Sequence, residues 1–456
     1  MSLTLCVIHY TQQTDKAIYV SRTLIKQLRL ATSKEVTLKL GHKSVHAYVK
    51  PIKKKGKHIY LPLSVSNQIR VPRQGACLVS SNHPAELQIG PLIGILTTGQ
   101  TQNLSAPFGG RTALIKQYLR VGAKKAFYFA FTPRDINWDK ETVNGLFIGD
   151  NGGWVRKTVP LPNAVYNRMA SRSADSSASM EGLKQRFVHR RIPIFNWSFF
   201  NKWEVYNMIS GEPEHKYVPE SYIDPPTDKI KDMLQRHSFL YLKPTGGSLG
   251  NGIYRLTYHP KKGYFVRYRR NGSNELLRFA KFTDLMKMLH RSRGRMKNYV
   301  VQQGIRLIEI DSCPIDFRFH MNKNAHNQWV VAGIGAKKAG KGSVTTHLKN
   351  GGQLMTPEHA LESAFGSRAD EVLQKAKGVA IKLSEAIDRN HSHLLGELGF
   401  DLGVDNSEKI WMFEANAKPG RSIFKHPSLK AQGKASLFYI FEYCLYLSKF
   451  RARREA

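Results

Sequence analysis

The chain has 456 residues, 41% of them hydrophobic, which is enough to bury several cores. No apolar run approaches the roughly 18 residues a membrane span needs, and "MSLTLCVIHYTQQTDK" lacks the basic start and long apolar centre of a signal peptide, so a cytoplasmic home is expected. A net charge of +36 makes anionic partners the natural ones, and four widely separated cysteines suit a reducing compartment and show no metal-ligand spacing.

In chain order, residues 1–90 contain a duplication. "IYVSRTLIKQLRL" at 18–30 recurs as "IYLPLSVSNQIRV" at 59–71, a shift of 41 residues, with Ile, Tyr, Gln and Arg repeated. Each copy reads as a strand, a brief helix at Leu24–Leu28 or Val65–Ile69, and a strand. Two such units predict a small pseudo-symmetric β-barrel-like domain. From "PLIGILTTG" onward, strands alternate with helices, which predicts an α/β lobe over 91–195. Within it "SRSADSSASMEG" (171–182) reads as a polar, mobile loop. Residues 196–456 form the third unit, with helices near 200–210 and over 367–390 and an aromatic C-terminal helix packed into a core.

The chemistry lies in this third unit. "FLYLKPTGGSLGNGI" (239–253) puts Lys243 at the end of an apolar strand, followed by a loop with Gly246, Gly247, Gly250 and Gly252. Glycines let backbone N–H groups approach phosphate oxygens, and the lysine adds a point charge. The same composition also suits a glycine-rich hairpin. It is not a P-loop, because GxxxxGK followed by Ser or Thr is absent. "GGSLG" matches a hydrolase nucleophile elbow centred on Ser248, but the strand-like "GIYRLTY" follows where that motif needs a helix.

Further on, "YVVQQGIRLIEIDSCPIDFRFHMNK" carries Asp316 and Arg318 two residues apart on one strand face, either as a phosphate grip or as a surface ion pair. In "ELGFDLGVDNSEKIWMFEANAKPG", a turn at 405–409 folds two strands into a hairpin that brings Asp401 level with Glu414 and Asn416. Alternation places Glu414 and Asn416 on one face, and Trp411, Phe413 and Ala415 on the other. Two carboxylates and an amide oxygen suit Mg²⁺ completed by nucleotide phosphates, or else satisfy one another.

Together these motifs resemble the ATP-grasp superfamily over about residues 195–425. Within it the chain resembles the YheC/YheD-type proteins, a group described as endospore coat-associated. The resemblance implies an ATP-grasp fold of α/β (α+β) class, ATP and Mg²⁺ as cofactors, and carboxylate–amine ligation through an acyl phosphate. It implies Lys243, and less directly Lys202, on the phosphates, with a loop including Gly246, Gly247, Ser248 and Gly250 closing over them. It also implies adenine held by the backbone at Gln303 and Ile305, a ribose contact from Glu309 or Asp311, Arg318 on the transferred phosphate, and Mg²⁺ on Asp401, Glu414 and Asn416. Spore coat components become partners, and the developing spore surface a location, on the same ground.

The chain departs from the related glutamate-adding ligases at Lys337, Lys338 and His347, where they carry arginines and an asparagine. It departs from the D-alanine ligases at Gly399, where they carry an arginine. Charge suggests an acidic, peptide-like substrate. The basic runs show no stacking-aromatic or helix-turn-helix organisation, which argues against nucleic acid. The alternative to a ligase is a spore-layer binding protein that uses the fold without catalysis.

Overall fold

The computed structural model describes residues 2–450 apart from 33, 100, 102, 247–251, 294–296, 344–345 and 347–350. Seven strands close an N-terminal barrel in the spatial order Ser2–Thr11, His58–Pro62, Ala17–Ser21, Lys43–Ile52, Glu35–Leu40, Glu86–Gly90 and Gly75–Ser81. The repeated segments interlock. Ile8 lies opposite Ile59 in one parallel pair and Ile18 opposite Val49 in another, while Tyr19 meets its own repeat, Tyr60, between them. The helices Arg22–Leu28 and Leu63–Ile69 both end at the repeated arginine, Arg29 or Arg70, in the left-handed conformation with φ 54° and 61°. Cys6 and Cys77, far apart in sequence, stand directly opposite each other in this barrel, both buried.

The lobe that follows is a sheet in the order Ile136–Asn137, Thr142–Ile148, Phe127–Phe131, Leu92–Leu96, Ala164–Asn167, Ile194–Phe195, with Trp154–Pro160 paired outside Thr142–Ile148. Its central strands are parallel and buried along their whole length, so they read as unbroken apolar runs rather than alternating ones. The segment 171–182 corrects the expectation of a mobile loop. It forms the helices Arg172–Asp175 and begins Ala178–His189, because Ser171 and Ser177 accept hydrogen bonds from the N–H groups of Ala174 and Met180 as helix caps.

Two further sheets face each other across a cleft. The smaller runs Ser221–Ile223, Tyr299–Gln303, Phe239–Pro244, Tyr254–His259, Gly263–Arg270, Ser273–Phe279, and buries Leu240, Leu242, Leu256 and Val266 with residues of the helices Thr227–His237 and Phe282–Arg293. The larger runs Gln353–Met355, Trp329–Lys338, Cys313–Lys323, Glu397–Val404, Ile410–Asn416. The helix Ala369–Asn390 covers it with Val372, Leu373, Val379 and Leu383. The C-terminal helix Lys430–Leu447 buries Ile440, Phe441 and Tyr443 with Tyr118, Tyr166 and Phe195 of the lobe, so its aromatic character is core packing. Among the described residues no helix is long and apolar enough to cross a membrane.

Candidate functional site

In Phe239–Pro244 the apolar residues Leu240 and Leu242 face the helices, which turns Lys243 into the cleft. Its ammonium donates to Gln302 Oε1 at 2.6 Å, from the neighbouring strand. Burial lowers its pKa to about 8, Lys202 adds to that, and Glu414, Asp401 and Asp316 oppose it. The cleft is lined by Lys202, Tyr206, Lys243, Gln302, Phe413 and Glu414 among others. Lys202 opens the helix Lys202–Ser210, whose start is fixed by a capping box between Asn201 and Glu204, and its Nζ lies 3.6 Å from Glu414 Oε1.

On the larger sheet the strand register does the assembly. Arg318 lies opposite Asp401, which lies opposite Glu414, while Asp316 lies opposite Lys337. Arg318 grips Asp401 with a fork, Nε to Oδ1 at 2.9 Å and Nη2 to Oδ2 at 2.8 Å. Lys337 bridges Asp316 Oδ1 at 2.8 Å and Asp401 Oδ1 at 2.9 Å, and Thr346 donates to Asp316 Oδ2. Burial acts to raise the Asp401 carboxyl, but Arg318 and Lys337 outweigh it and hold it well below the ordinary range. Asp316 goes the other way, raised by burial and by Asp401 against the pull of Lys337.

The structure thus brings Lys202, Lys243 and Glu414 to the lining of one cleft, with Asp401 opposite Glu414 and Arg318 opposite Asp401 on the adjoining strands. Asn416 follows on the hairpin opposite Gly399. A register shift beside Asp401 leaves Phe413 as an extra residue, so strict alternation fails there. Phe413 consequently lines the cleft, with Lys243 Nζ 5.6 Å from its ring, and does not face away. Asp316 and Arg318 are half-buried and pair with Lys337 and Asp401, which corrects the surface-pair reading. Gly246 has open space around it, whereas Gly247, Ser248, Gly250 and His347 lie outside the described residues.

The Gln303 N–H donates to the Glu220 carbonyl and its side chain accepts from the Glu220 N–H, so Gln302, not Gln303, turns its side chain to the cleft. Ile305 sits just past the strand end, partly buried. Asp311 is exposed and paired with Lys338 at 2.7 Å. Reading the sequence missed Gln302 and the bridging role of Lys337. Strand alternation through "YVVQQ" could have indicated the first, since Gln302 and Gln303 must face opposite ways.

For a metal, the donor set of Asp401, Glu414 and Asn416 is all oxygen and suits a hard cation in kind. Both Asp401 oxygens are engaged by Arg318 and Lys337, so holding a cation requires Asp401 to share them. Among the described residues no three His, Cys, Asp or Glu side chains gather as a metal group, and the amide of Asn416 is needed to complete the set.

Residues 191–447 match the family described as YheC/D like ATP-grasp. The chain belongs to that family. It is 36% identical over 376 residues to the endospore coat-associated protein YheD of Bacillus subtilis (strain 168), covering 80% of this chain and 81% of that protein. It is 22% identical over 303 residues to YheC of the same strain, covering 64% and 81%. Among solved structures, a D-alanine-D-alanine ligase from Coxiella burnetii matches at 12% identity and a TM-score of 0.42, over 78% of this chain and 97% of that one.

Further along the same two strands of this ATP-grasp chain lies a second buried network. His320 Nε2 and Glu397 Oε1 are 2.8 Å apart, and Tyr166 donates to Glu397 Oε2 at 2.5 Å. Burial lowers the His320 imidazole to about 4, although Glu397 acts to raise it. Burial acts to raise Glu397, but Arg168 and His320 hold it at about 2. Both folded values lie below the unfolded ones, so the unfolded chain takes up protons first. The His320 contribution is complete above pH 6.5 and lost as pH falls through about 4; that of Glu397 is complete above 4.5 and lost through about 2. Unfolding measured against pH should therefore show a loss on the order of 3 kcal/mol between pH 6.5 and 4 that His320→Asn flattens. A profile unchanged by that substitution contradicts the assignment.

Proposed function

We propose that the chain is an ATP-dependent carboxylate–amine ligase acting on an acidic or peptide-like substrate in spore coat formation. The observation that carries this reading is that Lys202, Lys243 and Glu414 line one cleft, with Asp401 opposite Glu414 and forked by Arg318, in a chain of the ATP-grasp family. A substrate carboxylate oxygen attacks the γ-phosphorus of ATP, the bond to the β–γ bridging oxygen breaks, and ADP leaves. An amine then attacks the acyl carbon, the C–O bond to phosphate breaks, and phosphate departs as the amine loses a proton to solvent. The protein's share is positioning and charge neutralisation.

Lys243 and Lys202 hold the α and β phosphates, the loop beginning at Gly246 covers the terminal ones, and the backbone at Gln303 and Ile305 borders adenine. Arg318 is oriented by its Asp401 fork, and its Nη1 makes no hydrogen bond among the described residues, which suits a contact to the transferred phosphate. Mg²⁺ on Asp401, Glu414 and Asn416 would supply charge neutralisation at the phosphates. The excess of Lys and Arg favours an acidic substrate, and the name of the 36% identical relative supports the spore coat setting.

A second reading, nucleotide binding without turnover in a spore-layer protein, is supported by the occupation of Asp401 by two cations. ADP and phosphate release in the presence of fractionated spore-cell extract separates the two. The ligase reading expects one fraction to stimulate release; Mg-ATP binding that no fraction converts to release supports the second.

A further inference from the structure

Past Asn416 the chain runs Ala417-Lys418-Pro419-Gly420-Arg421 and leaves the large sheet for the α/β lobe. Lys418 pairs with buried Asp175 at 2.5 Å, and Arg421 donates to Ser436 Oγ at 2.9 Å and the Gly433 carbonyl at 2.7 Å. The Pro419 carbonyl accepts from Arg168 Nη2 at 2.6 Å. Arg168 comes from the lobe, directly after the strand Ala164–Asn167, and is only 6% exposed. Its carbonyl in turn accepts from Arg111 Nη2 at 2.8 Å, and Arg111 Nη1 donates to Thr97 Oγ1 at 2.8 Å.

Charge does not balance here. Glu397 is the nearest carboxylate, but its oxygens are taken by Tyr166 and His320, with Arg421 at 3.7 Å. Among the described residues neither Arg111 nor Arg168 has a carboxylate within ion-pair reach, and the buried Arg168 Nε has no hydrogen-bond partner. The hydroxyl of Tyr118 lies beside Arg168 and is a neutral neighbour, not a counter-charge. Arg168 thus shares the single carboxylate of Glu397 with His320 and Arg421, and among the described residues Arg111 has none in reach, so a matching anion relieves the cost of burying these cations.

The location suits a ligand. Thr97 and Arg168 follow the carboxyl ends of two adjacent parallel strands, Leu92–Leu96 and Ala164–Asn167. From the first, the chain crosses through the helix Thr112–Val121 to Phe127–Phe131 on its other side, so the strand order reverses at this point, where open α/β sheets take their ligands. Arg111 stands at the N-terminus of that helix, whose dipole adds positive field. Around Gly99, Gly109, Gly110 and Gly420 a Cβ would meet nothing within 4 Å, so the approach is open. Pro419 also lies near the phosphate end of the cleft: a Cβ on Gly399 would lie 2.5 Å from the Pro419 ring and 3.3 Å from Arg318 Nη1.

We propose that this crevice binds an oxyanion, a carboxylate or phosphate group, of the molecule joined in the neighbouring cleft, with Arg111 and Arg168 as its charged donors. The identity of that molecule as a ligase substrate rests on the function proposed above; the binding itself does not.

The test titrates the full chain by calorimetry with inorganic phosphate and, separately, succinate at constant ionic strength, in the parent, Arg111→Gln and Lys243→Ala. Arg111→Gln should weaken the better probe about tenfold or more, the loss of a charge-assisted contact, and leave Mg-ATP affinity unchanged. Lys243→Ala should retain a saturable oxyanion site. Arg111→Lys, which keeps charge but not the fork, should fall between parent and Arg111→Gln and serves if the latter folds poorly. The tighter probe identifies the group as phosphate or carboxylate. The proposal is overturned if neither probe saturates, or if binding vanishes in Lys243→Ala and is untouched in Arg111→Gln. Oxyanion binding that depends on Arg111 in a protein that never turns over ATP would retain the site and reject the ligase reading.

Discussion

Lys243→Ala should weaken Mg-ATP binding by about 2 to 5 kcal/mol, the range for removing one partner of a close, desolvated charge pair. The ammonium is enclosed at the strand end, tethered to Gln302 at 2.6 Å, and aimed at the cleft that Lys202 and Glu414 also line. The same burial gives a pH signature. Phosphate prefers the protonated ammonium, and the free protein holds that proton only up to about pH 8. ATP affinity should be level below that pH and fall as pH rises through it, and the fall should disappear with the alanine variant. Calorimetric titration from pH 6 to 9 reads both; an affinity that ignores the substitution removes Lys243 from the phosphate site. Ser248→Ala, by contrast, should be mild, because ligation requires no protein nucleophile.

Glu414→Ala should abolish the Mg²⁺ dependence of nucleotide binding and leave the fold intact. Glu414 is partly exposed, its one ion pair among the described residues is the 3.6 Å contact to Lys202, and no core side chain depends on it. Removing it leaves Asp401, already held by Arg318 and Lys337, as the remaining carboxylate for a divalent cation. ATP titrated with and without Mg²⁺ should then give nearly equal affinities. If Mg-ATP binds the variant as tightly as the parent, the site is misassigned.

Much of this arrangement was legible because it is local. The hairpin that levels Asp401 with Glu414 follows from two apolar runs and a five-residue turn, and the interlocked barrel from a repeat at a fixed shift. What escaped depends on partners set by register or by distant packing. Phe413 enters the cleft through a bulge, which no period-two pattern reveals. Lys337 gains its role only when its strand pairs so that it falls opposite Asp316. Arg168 and Pro419 meet across 251 positions of sequence. The serine-rich segment looked like a loop because residues that cap helices are also residues that make turns.

The central claim is that the cleft activates a carboxylate as an acyl phosphate, and hydroxylamine tests it most directly, since it takes the place of the amine and converts any acyl phosphate to a stable hydroxamate. The protein would be incubated with Mg-ATP, hydroxylamine and the carboxylate pool of spore-cell extract, and products read by mass spectrometry. The ligase account predicts hydroxamates that require ATP and are lost in Lys243→Ala and Glu414→Ala. Tight Mg-ATP binding with no ATP-dependent hydroxamate from any fraction would contradict it.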